Sequence, residues 1–127
     1  MEAKELALQC RELADSKKAE NIVVLDVQKI SSITDYFVIA TGTSEPHLRA
    51  IVDEIQETLQ EKHGLKPRRT DGTLQTAWIV LDYFDVIVHI MRAEVRQHYD
   101  LEGLWSDAPH VRNRRRPAAK KQVKKKV

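Results

Sequence analysis

Two short stretches of the sequence carry residue types that could act together on a nucleotide. Gly42-Thr43-Ser44 precedes a helical pattern, so its backbone N–H groups could hold a phosphate. Asp82 and Asp85 could hold Mg²⁺, which nucleotidyl transfer requires beside such a helix start. These aspartates flank a turn and are three residues apart, so they are not i,i+2 neighbours on one strand face. The spacing argues against a shared metal, and a strand exit followed by an N-cap explains Gly42-Thr43-Ser44 more simply.

The histidines and the cysteine show no pattern of a catalytic or metal site. The single Cys10 falls on the apolar face of a helical pattern, where it is expected to be core. There is no G-x-S-x-G motif. The histidines lack ligand spacing such as H-E-x-x-H; they are His47, His63, His89, His98 and His110. We therefore predict no catalytic residue, no metal and no cofactor.

Residues 78–91 form the most β-rich stretch and predict a hairpin. Two runs rich in β-branched residues are separated by Asp82-Tyr83-Phe84-Asp85. In both runs the odd and the even positions are apolar, so both faces of the sheet should be largely covered. His89 breaks the pattern, and two interpretations are open. It is either a buried, hydrogen-bonded histidine or a binding residue that reaches the surface at a sheet end.

Aromatic side chains around this hairpin are candidates for partner contact. Trp78 and Trp105 suit a core, but tryptophan is also enriched in interface hot spots. A tight two-residue turn would require a positive φ near Phe84, which phenylalanine resists. We therefore predict a four-residue turn with Tyr83 and Phe84 partly exposed at its tip, where exposed aromatic rings suggest a contact surface.

The remaining chain predicts the elements that position these residues. Ser44 is the expected N-cap of a long helix that stops at Gly64. Pro67 limits any strand at 65–70 to a sheet edge, and Asp71-Gly72 is expected to be a turn. The other predicted elements are a helix at 3–18, strands at 21–27 and 36–41, a short helix at 93–99 and a final helical turn at 101–105. This order predicts an α/β or α+β fold with a mixed sheet of four or five strands.

Composition divides the chain into an acidic body and a basic tail. Residues 110–127 carry nine basic side chains and no acidic one. Since the whole chain has a net charge of +2, residues 1–109 carry −7. We predict one domain at 1–109, suited to a basic protein partner, and a tail at 110–127 that is disordered when free and attracts phosphates. With one cysteine, no signal pattern and no apolar run of membrane length, the chain is expected to be cytoplasmic.

The motifs, taken in order, resemble those of the Iojap family, the ribosomal silencing factors. The resemblance covers about residues 3–107 and rests on D-Y-F-V-I-A-T-G-T-S from Asp35, W-I-V-L-D from Trp78, D-V-I-V-H from Asp85 and L-E-x-L-W from Leu101. Arg96 and Tyr99 also match the pattern. The family commonly has Gly where Phe84 stands, so the turn geometry is in doubt here, and the basic tail is not part of the family core.

This resemblance implies a fold similar to nucleotidyltransferases without their catalytic acids, and a protein that is not an enzyme. It further implies binding to the large ribosomal subunit through ribosomal protein uL14. That binding blocks joining of the small subunit and represses translation when nutrients are scarce or in stationary phase. Homodimers are implied as well, whereas a membrane or small-molecule partner is not. The residues carried over as candidates for protein binding, together with the hairpin tip, are Trp78, Asp82, Tyr83, Phe84, His89, Tyr99 and Trp105.

Three hypotheses about function follow from the residues and the resemblance. The first is a non-enzymatic factor that prevents subunit association, with a possible contact between the basic tail and rRNA. The second is a Mg²⁺-dependent nucleotidyltransferase-like enzyme that uses Asp82, Asp85 and Gly42-Thr43-Ser44. The third is a general RNA-binding adaptor that acts through the tail alone.

Overall fold

The computed structural model describes residues 1–111, which form four helices and five strands. In chain order they are α1 (Ala3–Ser16), β1 (Glu20–Asp26), β2 (Tyr36–Gly42), α2 (Glu45–His63), β3 (Arg69–Thr73), β4 (Trp78–Asp82), β5 (Val86–Arg92), α3 (Ala93–Tyr99) and α4 (Leu101–Leu104). None of the helices in this part of the chain is long and apolar enough to span a membrane.

The strands form one mixed sheet in the order β1-β2-β5-β4-β3. β2 and β5 pair in parallel at its centre, with Tyr36 opposite Val86 and Gly42 opposite Arg92. The β1–β2, β4–β5 and β3–β4 pairs are antiparallel. A parallel pair requires a long connection, and α2, β3 and β4 supply it here. The predicted mixed α/β sheet is confirmed, with five strands.

Helices α1 and α2 pack on one face of the sheet and form the main core. The apolar stripe of α2 is buried as its period predicts, through Leu48, Ile51, Ile55 and Leu59. Cys10 of α1 is fully buried in this core, as predicted, and burial raises the pKa of its thiol to about 12. Each fully buried leucine or isoleucine contributes about 1.5–3 kcal/mol to folding.

The second face of the sheet has a smaller core. Leu25, Val27, Phe37 and Ile39 pack there against Ala108, and the half-buried Trp105 lies over them. Two short helices and the following segment thus cover part of this face, beside β1 and β2. Trp78 and Val80 on β4 remain only half-buried, so the prediction that the hairpin is covered on both faces holds only in part.

Helix α2 begins and ends as its sequence predicts. The Ser44 side chain accepts a hydrogen bond from the His47 N–H at 3.2 Å, and Pro46 lies in the first turn. Gly64 ends the helix with φ of +63°, the left-handed conformation that glycine adopts without strain.

The prediction of a turn at Asp71-Gly72 is wrong, because both residues lie inside the edge strand β3. Gly72 has φ of +81°, and a Cβ there would overlap the Trp78 carbonyl oxygen. The Asp-Gly pair therefore marks a local kink in an edge strand. The chain reverses instead at residues 74–77, where the Thr73 N–H and the Thr76 N–H each donate to the other residue's hydroxyl at 3.1 Å.

The prediction of a four-residue turn at the β4–β5 hairpin is also wrong. The Tyr83 N–H donates to the Val86 carbonyl at 2.8 Å, and the Asp85 N–H donates to the Tyr83 carbonyl at 3.0 Å. The turn is therefore tight, and Phe84 adopts φ of +80°. Phe84 is exposed as predicted, but Tyr83 is only 8% exposed and belongs to the main core.

Residues 109–111 pair with the outer edge of β1. The Asp26 N–H donates to the Pro109 carbonyl at 2.9 Å, and the Val111 N–H donates to the Val24 carbonyl at 2.7 Å. Between them His110 pairs with Leu25. This pairing extends two residues past the predicted domain limit at 109, and the rest of the predicted basic tail lies outside the described residues.

The buried hydroxyl of Tyr83 generates a prediction about stability. It has no hydrogen-bond partner among residues 1–111, whereas the Tyr36 hydroxyl, at a part-buried position, accepts a hydrogen bond from Gln28 Nε2 at 2.9 Å. Tyr83→Phe removes an unsatisfied polar group, so we expect it to raise the free energy of unfolding by about 1 kcal/mol. Urea unfolding measures the change.

The comparison variant is Tyr36→Phe, which removes a satisfied hydroxyl and its hydrogen bond, while Gln28 Nε2 keeps its hydrogen bond to Asp26 Oδ1. We expect it to lower the free energy of unfolding by about 1 kcal/mol. Equal losses in both variants would contradict the assignment of Tyr83.

Candidate functional site

Five aromatic side chains form a continuous row on the second face of the sheet. Successive ring centroids lie 4.8 Å apart for Tyr99 and Trp78, 5.9 Å for Trp78 and His89, 5.4 Å for His89 and Phe37, and 5.2 Å for Phe37 and Trp105. We call these residues the aromatic row. The row crosses β4, β5 and β2 because Trp78, His89 and Phe37 lie on strands that are neighbours in the sheet.

Exposure changes along the row. His89 and Phe37 at its centre are 9% and 8% exposed, and the two tryptophans are half-buried. Tyr99 at one end is 54% exposed, and Leu104, which precedes Trp105, is 74% exposed. Tyrosine and tryptophan with one buried and one open edge are frequent in protein interfaces. The row can therefore serve as a rigid apolar contact surface.

A hydrogen bond between Trp78 and His89 fixes the centre of the row. The Trp78 indole N–H donates to His89 Nδ1 at 3.1 Å, so Nε2 carries the proton of the neutral imidazole. Burial lowers the pKa of His89 to about 4. His89 is therefore uncharged at neutral pH, and it is the buried, hydrogen-bonded histidine of the first alternative.

Arg96 holds α3 and α4, the two helices that carry the ends of the row. Its side chain is buried, and its guanidinium donates from Nε and Nη2 to the two carboxylate oxygens of Glu102 at 2.8 and 3.0 Å. Nη1 donates to Thr41 Oγ1 at 2.8 Å. This arginine thus joins α3, α4 and β2, and a two-point pair of this kind fixes orientation as well as distance.

The hydrogen bonds from Arg96, together with its charge, hold the pKa of the Glu102 carboxyl below its usual value, although burial opposes the shift. Asp100 connects the two helices in a left-handed conformation with φ of +47°, and its carboxylate accepts a hydrogen bond from the Gly103 N–H at 3.2 Å. The positions of Tyr99 and Trp105 therefore depend on the hydrogen bonds that Arg96 and Asp100 make.

The seven predicted contact residues divide into two groups. Trp78, His89, Tyr99 and Trp105 come together in the aromatic row. Asp82, Tyr83 and Phe84 lie instead at the other end of the hairpin, beside its turn.

At that turn, Asp82 is 8% exposed and has both carboxylate oxygens occupied. Oδ2 accepts a hydrogen bond from Arg68 Nε at 3.1 Å, and Oδ1 accepts one from the Phe84 N–H at 2.8 Å. Asp85 is exposed in the turn. The two aspartates flank the turn as the sequence predicts, and the Asp82 carboxylate stabilises the hairpin.

The groups of a possible phosphate site are also engaged within the chain. The Thr43 N–H donates to His47 Nδ1 at 2.9 Å, and His47 Nε2 lies 2.7 Å from the Lys17 carbonyl oxygen. Since Nδ1 accepts, Nε2 is the donor, and His47 connects the start of α2 to the end of α1. The structure thus favours the interpretation of Gly42-Thr43-Ser44 as strand exit and N-cap. Residues 1–111 contain no group of three or more histidine, cysteine or acidic side chains that could hold a metal ion.

Sequence reasoning missed two members of this site. Phe37 lies at the centre of the row but stands in an unbroken apolar run, where nothing distinguishes it from core. Arg96 was recognised as a motif residue without a role. Its burial depends on Glu102 and Thr41, and the Thr41 contact spans 55 residues of sequence.

The Arg96–Glu102 pair generates a pH-dependent prediction. Glu102→Gln leaves a buried guanidinium without its anion, so we expect the free energy of unfolding to fall by about 1–3 kcal/mol at pH 7. The folded pKa of Glu102 is below its unfolded value of 4.5. The stabilisation in the parent chain is therefore complete above pH 4.5 and is lost as the pH falls through the folded pKa.

Urea unfolding of both chains at pH 7 and at pH 3.5 tests this, and the difference between them should shrink at pH 3.5. His89 titrates in both chains, so its contribution cancels. A difference that stays constant between the two pH values would contradict the expected role of the ion pair.

Comparison with known proteins identifies the family. The family model described as "Ribosomal silencing factor during starvation" matches residues 1–127. Ribosomal silencing factor RsfS of Halalkalibacterium halodurans is 42% identical over 97 residues, which are 76% of this chain and 82% of that protein. RsfS of Bacillus subtilis is 39% identical over 95 residues, which are 75% of this chain and 80% of that protein.

Solved structures agree with the sequence comparison. A crystal structure of a Chromobacterium violaceum protein superposes with a TM-score of 0.79 at 32% identity, covering 84% of this chain and 88% of that one. A Bacillus halodurans structure gives a TM-score of 0.75 at 36% identity, covering 87% of this chain and 99% of that one. The chain therefore belongs to the family of ribosomal silencing factors.

Proposed function

We propose that this ribosomal silencing factor binds the large ribosomal subunit through protein uL14 and sterically blocks association with the small subunit. Translation is thereby repressed under nutrient limitation or in stationary phase. The observation that carries the proposal is the aromatic row, a rigid and partly exposed apolar surface on an acidic domain. Family membership supplies the ribosomal context.

The proposed mechanism needs no chemical step. A domain of this size, docked on the face that the small subunit approaches, occupies space that the small subunit requires. Because the protein binds only the free large subunit, it stabilises that state by mass action. Its effect depends on its concentration relative to its dissociation constant, and it needs no cofactor.

Within this proposal the exposed members of the aromatic row contact the partner, and its buried members hold them in place. Tyr99, Trp78 and Trp105 have open edges, so they face the partner, together with Leu104. His89 and Phe37 are almost completely buried and hold the rings in place. Because these rings are already held in place, they lose little conformational entropy on binding, which favours affinity.

Charge favours the same class of partner. Residues 1–111 carry a net charge of −7 within a chain of +2, since all nine basic residues of the tail lie beyond Val111. An acidic domain attracts a basic ribosomal protein and raises the association rate at low salt. The tail adds a proposed contact with rRNA that should weaken as salt rises. We also propose homodimer formation, which the family resemblance implies, and a cytoplasmic location, which the composition of the chain predicts.

Subunit association in the presence of the protein tests the proposal. Purified bacterial subunits are mixed with saturating protein and separated by sedimentation on sucrose gradients. We expect free subunits in place of whole ribosomes, with the protein in the large-subunit fraction. Normal formation of whole ribosomes at saturation would refute the proposed mechanism.

A pair of variants tests the aromatic row. Tyr99→Ala removes an exposed ring from the end of the row, and we expect it to weaken binding to the large subunit roughly thirtyfold, as for a hot-spot residue. Ile33→Ala is the matched control, because Ile33 is 64% exposed in the β1–β2 connection, outside the row. Equal binding by both variants would exclude the row as the contact surface.

Calorimetry with a nucleotide tests the nucleotidyltransferase alternative, which requires that the protein bind ATP and Mg²⁺. Because Asp82 and the Thr43 N–H are engaged within the chain, we expect no saturable heat when ATP and Mg²⁺ are titrated into the protein. Tight binding of the nucleotide that disappears in Asp82→Ala would favour the enzyme instead.

A further inference from the structure

One exposed stretch of the acidic domain has the opposite charge. Residues 62–70, from the end of α2 into β3, carry Lys62, Lys66, Arg68 and Arg69 and no acidic side chain. All four basic residues are exposed. We call residues 62–70 the basic segment. A cluster of this kind suits phosphate groups, since Lys62 ends α2 and the other three charges follow along the chain after it.

An exposed aromatic ring lies directly beside the basic segment. The Arg68 guanidinium stacks over the Phe84 ring, 4.6 Å from its centroid, while Arg68 Nε pairs with Asp82. Phe84 nevertheless remains 58% exposed. The guanidinium thus supports the ring and leaves most of it open to another flat group.

The backbone holds Phe84 in this position at a cost in strain. Its φ of +80° lies in a region that side-chain-bearing residues rarely adopt. The Phe84 N–H is fixed to Asp82 Oδ1, and the Asp85 N–H to the Tyr83 carbonyl. A large ring kept exposed in a strained turn contributes nothing to the core, and such strain is typical of functional positions.

We propose that the basic segment and Phe84 form a binding site for unpaired RNA nucleotides. A base stacks on the Phe84 ring, and the backbone phosphates pair with Lys62, Lys66 and Arg69. Aromatic stacking beside a basic groove is how proteins hold single-stranded nucleic acid. A base in a duplex would not expose the face that this ring requires.

This site is separate from the aromatic row and does not depend on the function proposed for it. Trp78 lies at the start of β4, whereas Asp82 and the turn lie at the opposite end of the hairpin. The acidic groups that border the site are Glu61, Asp71 and Asp85.

Fluorescence anisotropy with a labelled oligouridine of twelve nucleotides tests the proposal on the full chain. We expect Phe84→Leu to weaken RNA binding roughly tenfold or more, since a stacked base is lost, with an unchanged dependence on salt. The double variant Lys66→Ala/Arg69→Ala should instead reduce the slope of log affinity against log salt by about 1.4, through two lost phosphate contacts.

Matched controls separate this site from the basic tail and from the aromatic row. Lys4→Ala/Lys29→Ala also removes two exposed charges and should leave the slope unchanged. Tyr99→Leu removes an equally exposed ring and should leave RNA affinity unchanged. If the tail alone binds RNA, neither Phe84→Leu nor Lys66→Ala/Arg69→Ala will differ from the parent chain, and the proposal is wrong.

A further variant excludes misfolding as the cause of weak binding. Phe84→Gly relieves the positive φ, so its melting temperature should equal or exceed that of the parent chain while its RNA affinity falls as in Phe84→Leu. Retained RNA affinity in Phe84→Gly would overturn the proposal. Phe84→Trp keeps a stacking surface and should retain RNA binding, so loss of binding in that variant would also count against the site.

Discussion

The parallel pairing of β2 with β5 is the constraint on which the rest of this structure depends. Every residue of β2 is buried, so both faces of the sheet must be covered at its centre. Helices α1 and α2 cover one face at the centre of the sheet, whereas every residue of the edge strand β3 is exposed. Within residues 1–111, α3, α4 and the segment leading to Val111 lie on the other face, and they leave β4 half-covered. The partly exposed aromatic row is what remains of an incompletely covered sheet.

Polar side chains in this fold mainly join elements to one another. Arg96 joins α3 and α4 to β2, His47 joins α2 to α1, and Asp82 holds the turn between β4 and β5. Each has its hydrogen-bonding groups directed at the protein itself. This arrangement explains how a fold with a Gly-Ser helix start and two nearby aspartates can serve binding. The Asp82 carboxylate and the Thr43 N–H, which a nucleotide site would use, are already engaged.

The charges are distributed over three regions with different roles. The domain as a whole is acidic, the tail is strongly basic, and residues 62–70 form a basic stretch within the domain. The aromatic row and Phe84 lie at opposite ends of one hairpin, so the two proposed contact surfaces are held in a fixed relation by its strands. Such a rigid element suits the proposed steric mechanism, in which the protein occupies a defined position on its partner.

The sequence alone determined the element order, the limits of α2 and the mixed sheet, because helical period, capping residues and β-branched runs are local signals. It also excluded paired carboxylates on one strand face. Tertiary structure decided which aromatic rings meet, because the row depends on strand neighbours far apart in sequence. It also decided the tight turn at Phe84, since Asp82 and Arg68 offset a conformation that phenylalanine resists by itself. Asp71-Gly72 lies in a strand for a related reason. The positive φ of Gly72 suits either a turn or a kinked strand, and only the pairing of β3 with β4 selects the strand.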